Sequence, residues 1–375
     1  GWKHVNPTFP YINADLSTST GLGPKESLVR LSGLVQVGTN VQDLDLFRTG
    51  QNGLVMGRNY TGEKSVNAVD LHLDLSSLTE VELVFWMKSI YNNNSNYDGI
   101  FFSDDGGETF EKVFEFNGDN WAGLEWGQLP PLDIDRLAKH YGLSLTSSFV
   151  IRFQQYGDQN LASKYYQSRD GLLIDDVIVR VPDKTFISKF PYKTGFEGST
   201  ELPEGWLQGN PAFPYINPEP NNSTALDEGK SAVRLENTVR VTSSINDVQA
   251  FFTGENGLAL GKTKGGRIGV AAADLHLDLS NTPDVELSFW IKDYYDENHP
   301  DDGIFFSDDA GITFTKVMNF EGTDWSDNTW GKLPPIDIDR LAAKYGLTLS
   351  STFVIRFQQS DDNFFTTESL ASNKD

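Results

Sequence analysis

Four tryptophans offer the plainest chemistry in this chain. Trp121 and Trp126 lie in a Gly- and Asp-rich stretch ahead of a Leu-Pro-Pro segment, and 204 residues later Trp325 and Trp330 repeat them. Rings in such a stretch can stack on the faces of sugars while a neighbour such as Asp119 or Asn120 bonds the hydroxyls. The competing expectation is that they cover the edge of a β-sandwich, because all four keep their spacing along with core residues. The segments Ser103–Phe110 (SDDGGETF) and Ser307–Phe314 (SDDAGITF) share the pattern S-x-D-x-G-x-T-aromatic. Here the types predict a turn: the carboxylates of Asp105 and Asp309 bond turn amides, and Gly107 and Gly311 take a positive φ. Ser103, Thr109, Ser307 and Thr313 complete the loops, and the aromatic packs them down. Acidic clusters in turns suit a hard cation such as calcium, which wants six to eight oxygens, although no stretch has the 12-residue EF-hand spacing.

Catalysis finds little to work with. The chain has no G-x-S-x-G elbow, no H-E-x-x-H and no phosphate-binding glycine loop. His72 and His276 alternate with leucines in DLHLDLS, which predicts the polar face of a strand. In LDIDRL the acids fall at helical spacing, so Asp135 is expected on the surface beside Arg136, and the chain is expected not to be an enzyme.

Composition narrows the partners. With 53 Asp+Glu against 30 Lys+Arg, the formal net charge is -23. That excludes a nucleic-acid binder, which needs a basic face to displace counterions, and disfavours an anionic membrane surface. No apolar run reaches the roughly 18 residues that a membrane-spanning helix requires, so no membrane insertion is expected. The chain has no cysteine, which removes thiolate metal sites and cysteine nucleophiles. Absence of disulfides at this length suits an exported bacterial protein better than an animal one. Gly1 is not a methionine and no signal-peptide pattern follows it, so any targeting segment is expected upstream.

The elements that must carry these residues are set by an internal repeat. Gly1-Trp2 returns as Gly205-Trp206, DLHLDLS at Asp70 returns at Asp274, and FVIRFQQ at Phe149 returns at Phe353. Between Asp98–Gln155 and Asp302–Gln359, 39 of 58 positions are identical without a gap. A period of this size is a whole domain rather than a solenoid unit of about 20–50 residues. Two domains are expected: 1–182, lacking a counterpart of Phe186–Glu204 and so its first strand, and 183–375, lacking a counterpart of LLIDDVIVR and so its last. The chain therefore reads as a piece of a longer array with further copies of the repeat.

Short alternating strands dominate. In VELVFWMKS, Val81, Leu83, Phe85 and Met87 point one way, and in TFEKVFEF the expectation puts Phe110, Phe114 and Phe116 on one face. One helix per copy is expected, with Ile134, Leu137, Ala138 and Tyr141 at helical spacing, Asp133 as cap and Gly142 as stop. The fold class is thus all-β, tandem jelly-roll β-sandwiches each with one short helix on a crossover loop.

The S-x-D-x-G-x-T-aromatic hairpin resembles the Asp-box of sialidases, sortilin-type propellers and reelin repeats, where it is structural. GFEGSTELPEGW (Gly195–Trp206) and the closing pair FVIRFQQYGD and DGLLIDDVIV are similar to bacterial cleaved-adhesin and choice-of-anchor J domains, jelly rolls related to MAM domains. The resemblance implies an extracellular or cell-surface binding and adhesion module in a longer exported protein, with a glycan or a surface protein as partner. It also implies a structural calcium near the first and last strands, with Glu197 and Asp175 or Asp176 as matching candidates; Asp158 and Asp170 in the adjoining loop are further ones. The rival expectations are an accessory carbohydrate-binding segment of an exported hydrolase and a ligand-free spacer.

Overall fold

The computed structural model describes residues 1–5, 33–41, 44–58, 65–90, 98–116, 126–128, 131–157, 171–209, 237–245, 248–262, 269–293, 302–320 and 329–361. The chain forms two compact units, Gly1–Pro182 and Asp183–Asp375. Strands of the first are β1 (Trp2–Val5), β2 (Gly33–Gly38), β3 (Asn40–Val41), β4 (Leu44–Asp45), β5 (Gly53–Arg58), β6 (Ser65–Leu73), β7 (Glu82–Ile90), β8 (Gly99–Ser103), β9 (Glu111–Glu115), β10 (Gly127–Gln128), β11 (Leu132–Asp133), β12 (Phe149–Gly157) and β13 (Gly171–Arg180). They build two antiparallel sheets, in the orders β1-β6-β12-β8-β9 and β10-β7-β13-β5-β2, with β11 also on β7. The helix α1 (Ile134–His140) connects β11 to β12.

Period-two alternation explains the layers. Leu83, Phe85 and Met87 of β7 and Leu172 and Ile174 of β13 meet Ile100, Phe102, Ile151 and Phe153 of the other sheet, all fully buried. Phe85 and Phe153 cross the sandwich edge to face, with ring centroids 5.3 Å apart. One alternation fails. The register of β9 against β8 shifts between Ile100 and Phe101, because a bulge at Val113 sets two residues against one and reverses the pleat. Phe110 therefore leaves the face of Phe114 and packs with Phe101 and Val150 on the outer side of the first sheet. There it lies over the guanidinium of Arg152, 3.8 Å from the ring centre. Beneath it Arg152 Nε and Nη2 donate to the two carboxylate oxygens of Asp70 at 2.7 and 2.9 Å.

The second unit contains β14 (Trp206–Gly209), β15 (Asn237–Thr242), β16 (Ser244–Ile245), β17 (Val248–Gln249), β18 (Gly257–Lys262), β19 (Gly269–Leu277), β20 (Glu286–Leu287), β21 (Trp290–Lys292), β22 (Gly303–Ser307), β23 (Thr315–Asn319), β24 (Trp330–Lys332), β25 (Ile336–Asp337), the helix α2 (Ile338–Lys344) and β26 (Phe353–Asp361). Its sheet β14-β19-β26-β22-β23 reproduces the first sheet of the first unit. The ion pair recurs as Arg356–Asp274 at 2.7 Å under Phe314. Both helices start as read from the sequence: Asp133 and Asp337 accept the Arg136 and Arg340 amides at 3.0 and 2.8 Å.

The two units differ at matched positions. Trp206 is 7% exposed beneath Phe196, whose ring lies 5.3 Å away, while its counterpart Trp2 is 45% exposed. Phe196 belongs to the segment Phe186–Glu204, which packs on the second unit's core through Ile187, Phe190, Tyr192 and Leu202 as well. Among the described residues, the second unit's other strands form the separate pairs β15-β18, β20-β25 and β21-β24. In the first unit the corresponding neighbours β5 and β7 are joined through β13.

Candidate functional site

Matched positions on the outer face of the second sheet carry the candidate site. Phe85 and Met87 point inward on β7, so Trp86 between them points outward. The turn that follows β4 folds over this face. In the first unit the Arg48 guanidinium lies 3.6 Å from the centre of the Trp86 ring, an arrangement that favours a cation on the π face. Two acids of β13 hold the turn there. The Arg48 and Thr49 amides donate to Asp175 Oδ2 at 2.7 and 3.1 Å. Asp176 takes the Arg48 guanidinium at 2.9 Å and the Thr49 hydroxyl. Both acids sit at a register shift of β13 against β7, and Asp176 has a φ of 49°, which is how two successive carboxylates reach the same turn.

In the second unit the position of Arg48 is taken by Phe252, and that of Trp86 by Trp290. Their rings stack at 3.9 Å with an interplanar angle of 19°, and Trp330 stands beside them with its ring centre 5.9 Å from that of Phe252. Phe252 is 43% exposed and Trp290 44%. Below the stack, Glu197 accepts the Glu255 amide at 2.9 Å. Gly254 admits this carboxylate: at a φ of 82°, a Cβ there would stand 1.9 Å from Glu197 Oε1.

Of the four tryptophans singled out by spacing, Trp126 packs against Leu46, Val55, Ile90 and Leu173 and so covers core rather than presenting a free ring. Trp330 is half-buried at the border of the Phe252–Trp290 stack. Trp121 and Trp325 lie outside the described residues. The ring pair that is exposed was not singled out, although a repeated Phe-Trp dipeptide on a core strand carries a signal: one of its two rings must face outward.

Among the described residues no three acidic or histidine side chains gather as a metal cage. In the first unit calcium does not fit Asp175 and Asp176, because Arg48 already supplies the positive charge and every carboxylate oxygen of the two takes a hydrogen bond. Glu197 in the second unit meets a backbone amide of the turn equivalent to the one that Asp175 holds. Asp158 and Asp170 lie outside the described residues. The S-x-D-x-G-x-T turns close as hydrogen-bonded loops: Ser103 accepts from the Gly107 amide at 2.9 Å, and Asp105 accepts the Glu108 amide and the Thr109 amide and hydroxyl. Ser307, Asp309, Gly311 and Thr313 repeat this.

One expectation about titratable groups is corrected. Asp135 is not a free surface acid: it turns back to accept the Val81 amide at 2.7 Å. Burial, then the charge of Asp133 and a hydrogen bond to it, push its pKa up to about 6. Both carboxylates of this pair are thus taken up in starting α1. His276 is buried, its ring edge-on to Phe186 at 5.3 Å, and burial lowers its pKa.

The raised group has a consequence in solution. Between its unfolded value of 3.8 and about 6 the folded unit holds a proton that the unfolded chain has released. The stabilisation is full below pH 4 and is lost as the pH rises through 6. Asp135→Asn keeps the acceptor for Val81 and removes the charge. It is expected to flatten the fall in melting temperature of the first unit over that window, by about 1 kcal/mol after allowing for its partial exposure. Parallel pH–melting curves for the variant and the native chain would refute this.

No protein-family model matches the chain, and no curated protein sequence matches it. Among solved structures, the N-terminal tandem CBM22-1–CBM22-2 domain of Xyn10C from Paenibacillus barcinonensis is 12% identical. The match covers 92% of this chain and 87% of that one, with a TM-score of 0.24. A Paenibacillus xanthan lyase is 10% identical, with 94% of this chain covering 26% of that one and a TM-score of 0.20. TM-scores this far below 0.5 leave the reading of the site to the chain's own residues.

Proposed function

We propose that the chain is a non-catalytic binding module of an exported protein, and that it takes a carbohydrate on the aromatic surface of its second unit. The observation that carries this is the Phe252–Trp290 stack with Trp330 at its border, two rings left more than two-fifths exposed where a turn meets the β21-β24 pair. Large exposed rings are costly to leave in water, and sugar rings present the C–H faces that stack on them. The resemblance of GFEGSTELPEGW and LLIDDVIV to cleaved-adhesin and choice-of-anchor J domains adds support for an extracellular or cell-surface setting and for adhesion. The net charge of -23 favours a neutral ligand over an anionic polysaccharide by simple repulsion.

The test is a panel of neutral and acidic polysaccharides titrated onto the full chain by calorimetry. Binding of a neutral glycan at one ligand per chain is expected, because in the first unit the charged Arg48 guanidinium, held by Asp176, lies on the Trp86 ring, whereas in the second a further half-exposed ring, Phe252, lies on Trp290. A folded chain that binds no member of the panel would sink the reading. For the reasons given for Asp175 and Asp176, adding calcium or a chelator is expected to leave the melting temperature of the first unit unchanged; a rise with calcium would show that Arg48 is displaced.

A further inference from the structure

We infer that the aromatic surface of the second unit takes a single, twisted glycan chain, with Lys332 donating to its hydroxyls, rather than the flat face of a packed polysaccharide. The inference rests on the reading of that surface as a saccharide site and adds the form of its ligand. Ring geometry carries it. Phe252 lies nearly parallel to Trp290, at 19° and 3.9 Å, so one face of Phe252 is spent on that stack. Its neighbour Trp330 stands with its ring centre 5.9 Å away and its plane turned by 52°. A flat surface stacked on Phe252 would therefore meet Trp330 at a steep angle and stack on one ring alone. A chain can follow both rings if each sugar is turned against the last, and the separation of the ring centres is close to the advance from one sugar to the next.

The strands beneath supply the polar partners. Phe289 and Ile291 pack on the core, so Trp290 and Lys292 point outward by alternation. β24 runs antiparallel to β21 and sets Lys332 opposite Trp290 and Trp330 opposite Lys292. Directly opposed residues share a face of the pair, and ammonium and indole thus alternate over four positions beside Phe252. Lys332 is exposed. Its ammonium has three N–H donors and no acceptor, which complements the hydroxyl and ring oxygens along the edge of a chain whose C–H faces stack on the rings. In the first unit Gln128 stands opposite Trp86 and the Arg48 guanidinium lies on that ring. The second ring and the ammonium are therefore features of the second unit's surface, and they set which form of glycan it selects.

The experiment titrates the full chain with neutral gluco-, manno- and xylo-oligosaccharides from disaccharide to hexasaccharide, and mixes it in parallel with crystalline cellulose and chitin powders. In the series that binds, affinity is expected to rise by about tenfold between disaccharide and tetrasaccharide, as the chain comes to span both rings. The powders are expected to leave the protein in solution. Trp330→Ala should remove most of the rise with length and leave disaccharide affinity as it was. Lys332→Met keeps the apolar stem and should lower affinity by about fivefold at every length. Three results would overturn the inference: depletion of the protein by a crystalline powder, affinity that does not grow with length, or Lys332→Met binding as the native chain does. Should Trp330→Ala fail to fold, as its melt would show, the length dependence of the native chain still decides. Binding to a powder alone overturns this inference and leaves the saccharide reading standing, whereas a folded chain that binds neither powder nor oligosaccharide sinks both.

Discussion

Phe252→Ala is expected to weaken saccharide binding by about 30-fold or more, the roughly 2 kcal/mol that a central aromatic anchor typically carries. Trp290→Ala should do the same, and the double variant should show no measurable binding. The expectation follows from geometry. The two rings form one surface through their 3.9 Å stack, so removing either halves the platform and leaves the other without its support. Because both rings are more than two-fifths exposed, truncation opens no cavity, and the fold should survive with less than about 1 kcal/mol lost. The decisive control is Trp86→Ala. Arg48 sits on that ring, so its loss should leave affinity untouched. Unchanged binding in Trp290→Ala, or loss in Trp86→Ala, would remove the platform from the second unit.

Asp70→Asn is expected to destabilise the first unit by about 3–5 kcal/mol, and Asp274→Asn the second by as much. In each case a guanidinium lies buried beneath a phenylalanine ring with a carboxylate as its bidentate partner. An amide in place of the carboxylate turns a donor toward a donor and leaves the buried charge uncompensated. For a unit of this size, the loss corresponds to a fall in melting temperature of about 10 °C. Replacing both partners by apolar residues, as in Asp70→Leu with Arg152→Met, should cost less than Asp70→Asn alone. Scanning calorimetry of these variants would assign each transition to its unit. A shift below about 1 kcal/mol would mean that water reaches the pair.

The sheets were legible wherever one face was buried, as in β7, where Leu83, Phe85 and Met87 follow the alternation without exception. The helix was legible too, because Asp133 and Gly142 bracket a helical spacing. Phe110 was misplaced because a bulge reverses the pleat, and a bulge is set by how two strands settle against each other, which local pattern does not record. Asp135 was misplaced for a related reason: its partner, the Val81 amide, is 54 residues away in sequence. The site was harder still. The Trp-rich stretches drew attention through composition, yet the exposed pair joins Phe252 to Trp290 across a gap in sequence, and in the other copy the matching position holds Arg48. Alignment of the copies marks that position as different; only the fold puts it over a tryptophan.

The identity of the closing core strands bears on how the chain reaches this state. β12 and β26 share the seven residues FVIRFQQ, and their neighbours β6 and β19 both end in DLHL. A strand from one unit set into the other would find the same inward phenylalanines and the same arginine–aspartate pair, so interaction energy alone hardly tells right from wrong. What separates the two outcomes is proximity along the chain: paired residues of β6 and β12, such as Val69 and Phe153, are 84 residues apart, against 288 for Val69 with Phe357 of β26 and 120 for Phe153 with Ala273 of β19. Fidelity in such a protein is kinetic. It is best protected when the first unit closes before the second is complete, as vectorial synthesis arranges, and refolding of the whole chain from denaturant is the condition under which exchanged strands would accumulate.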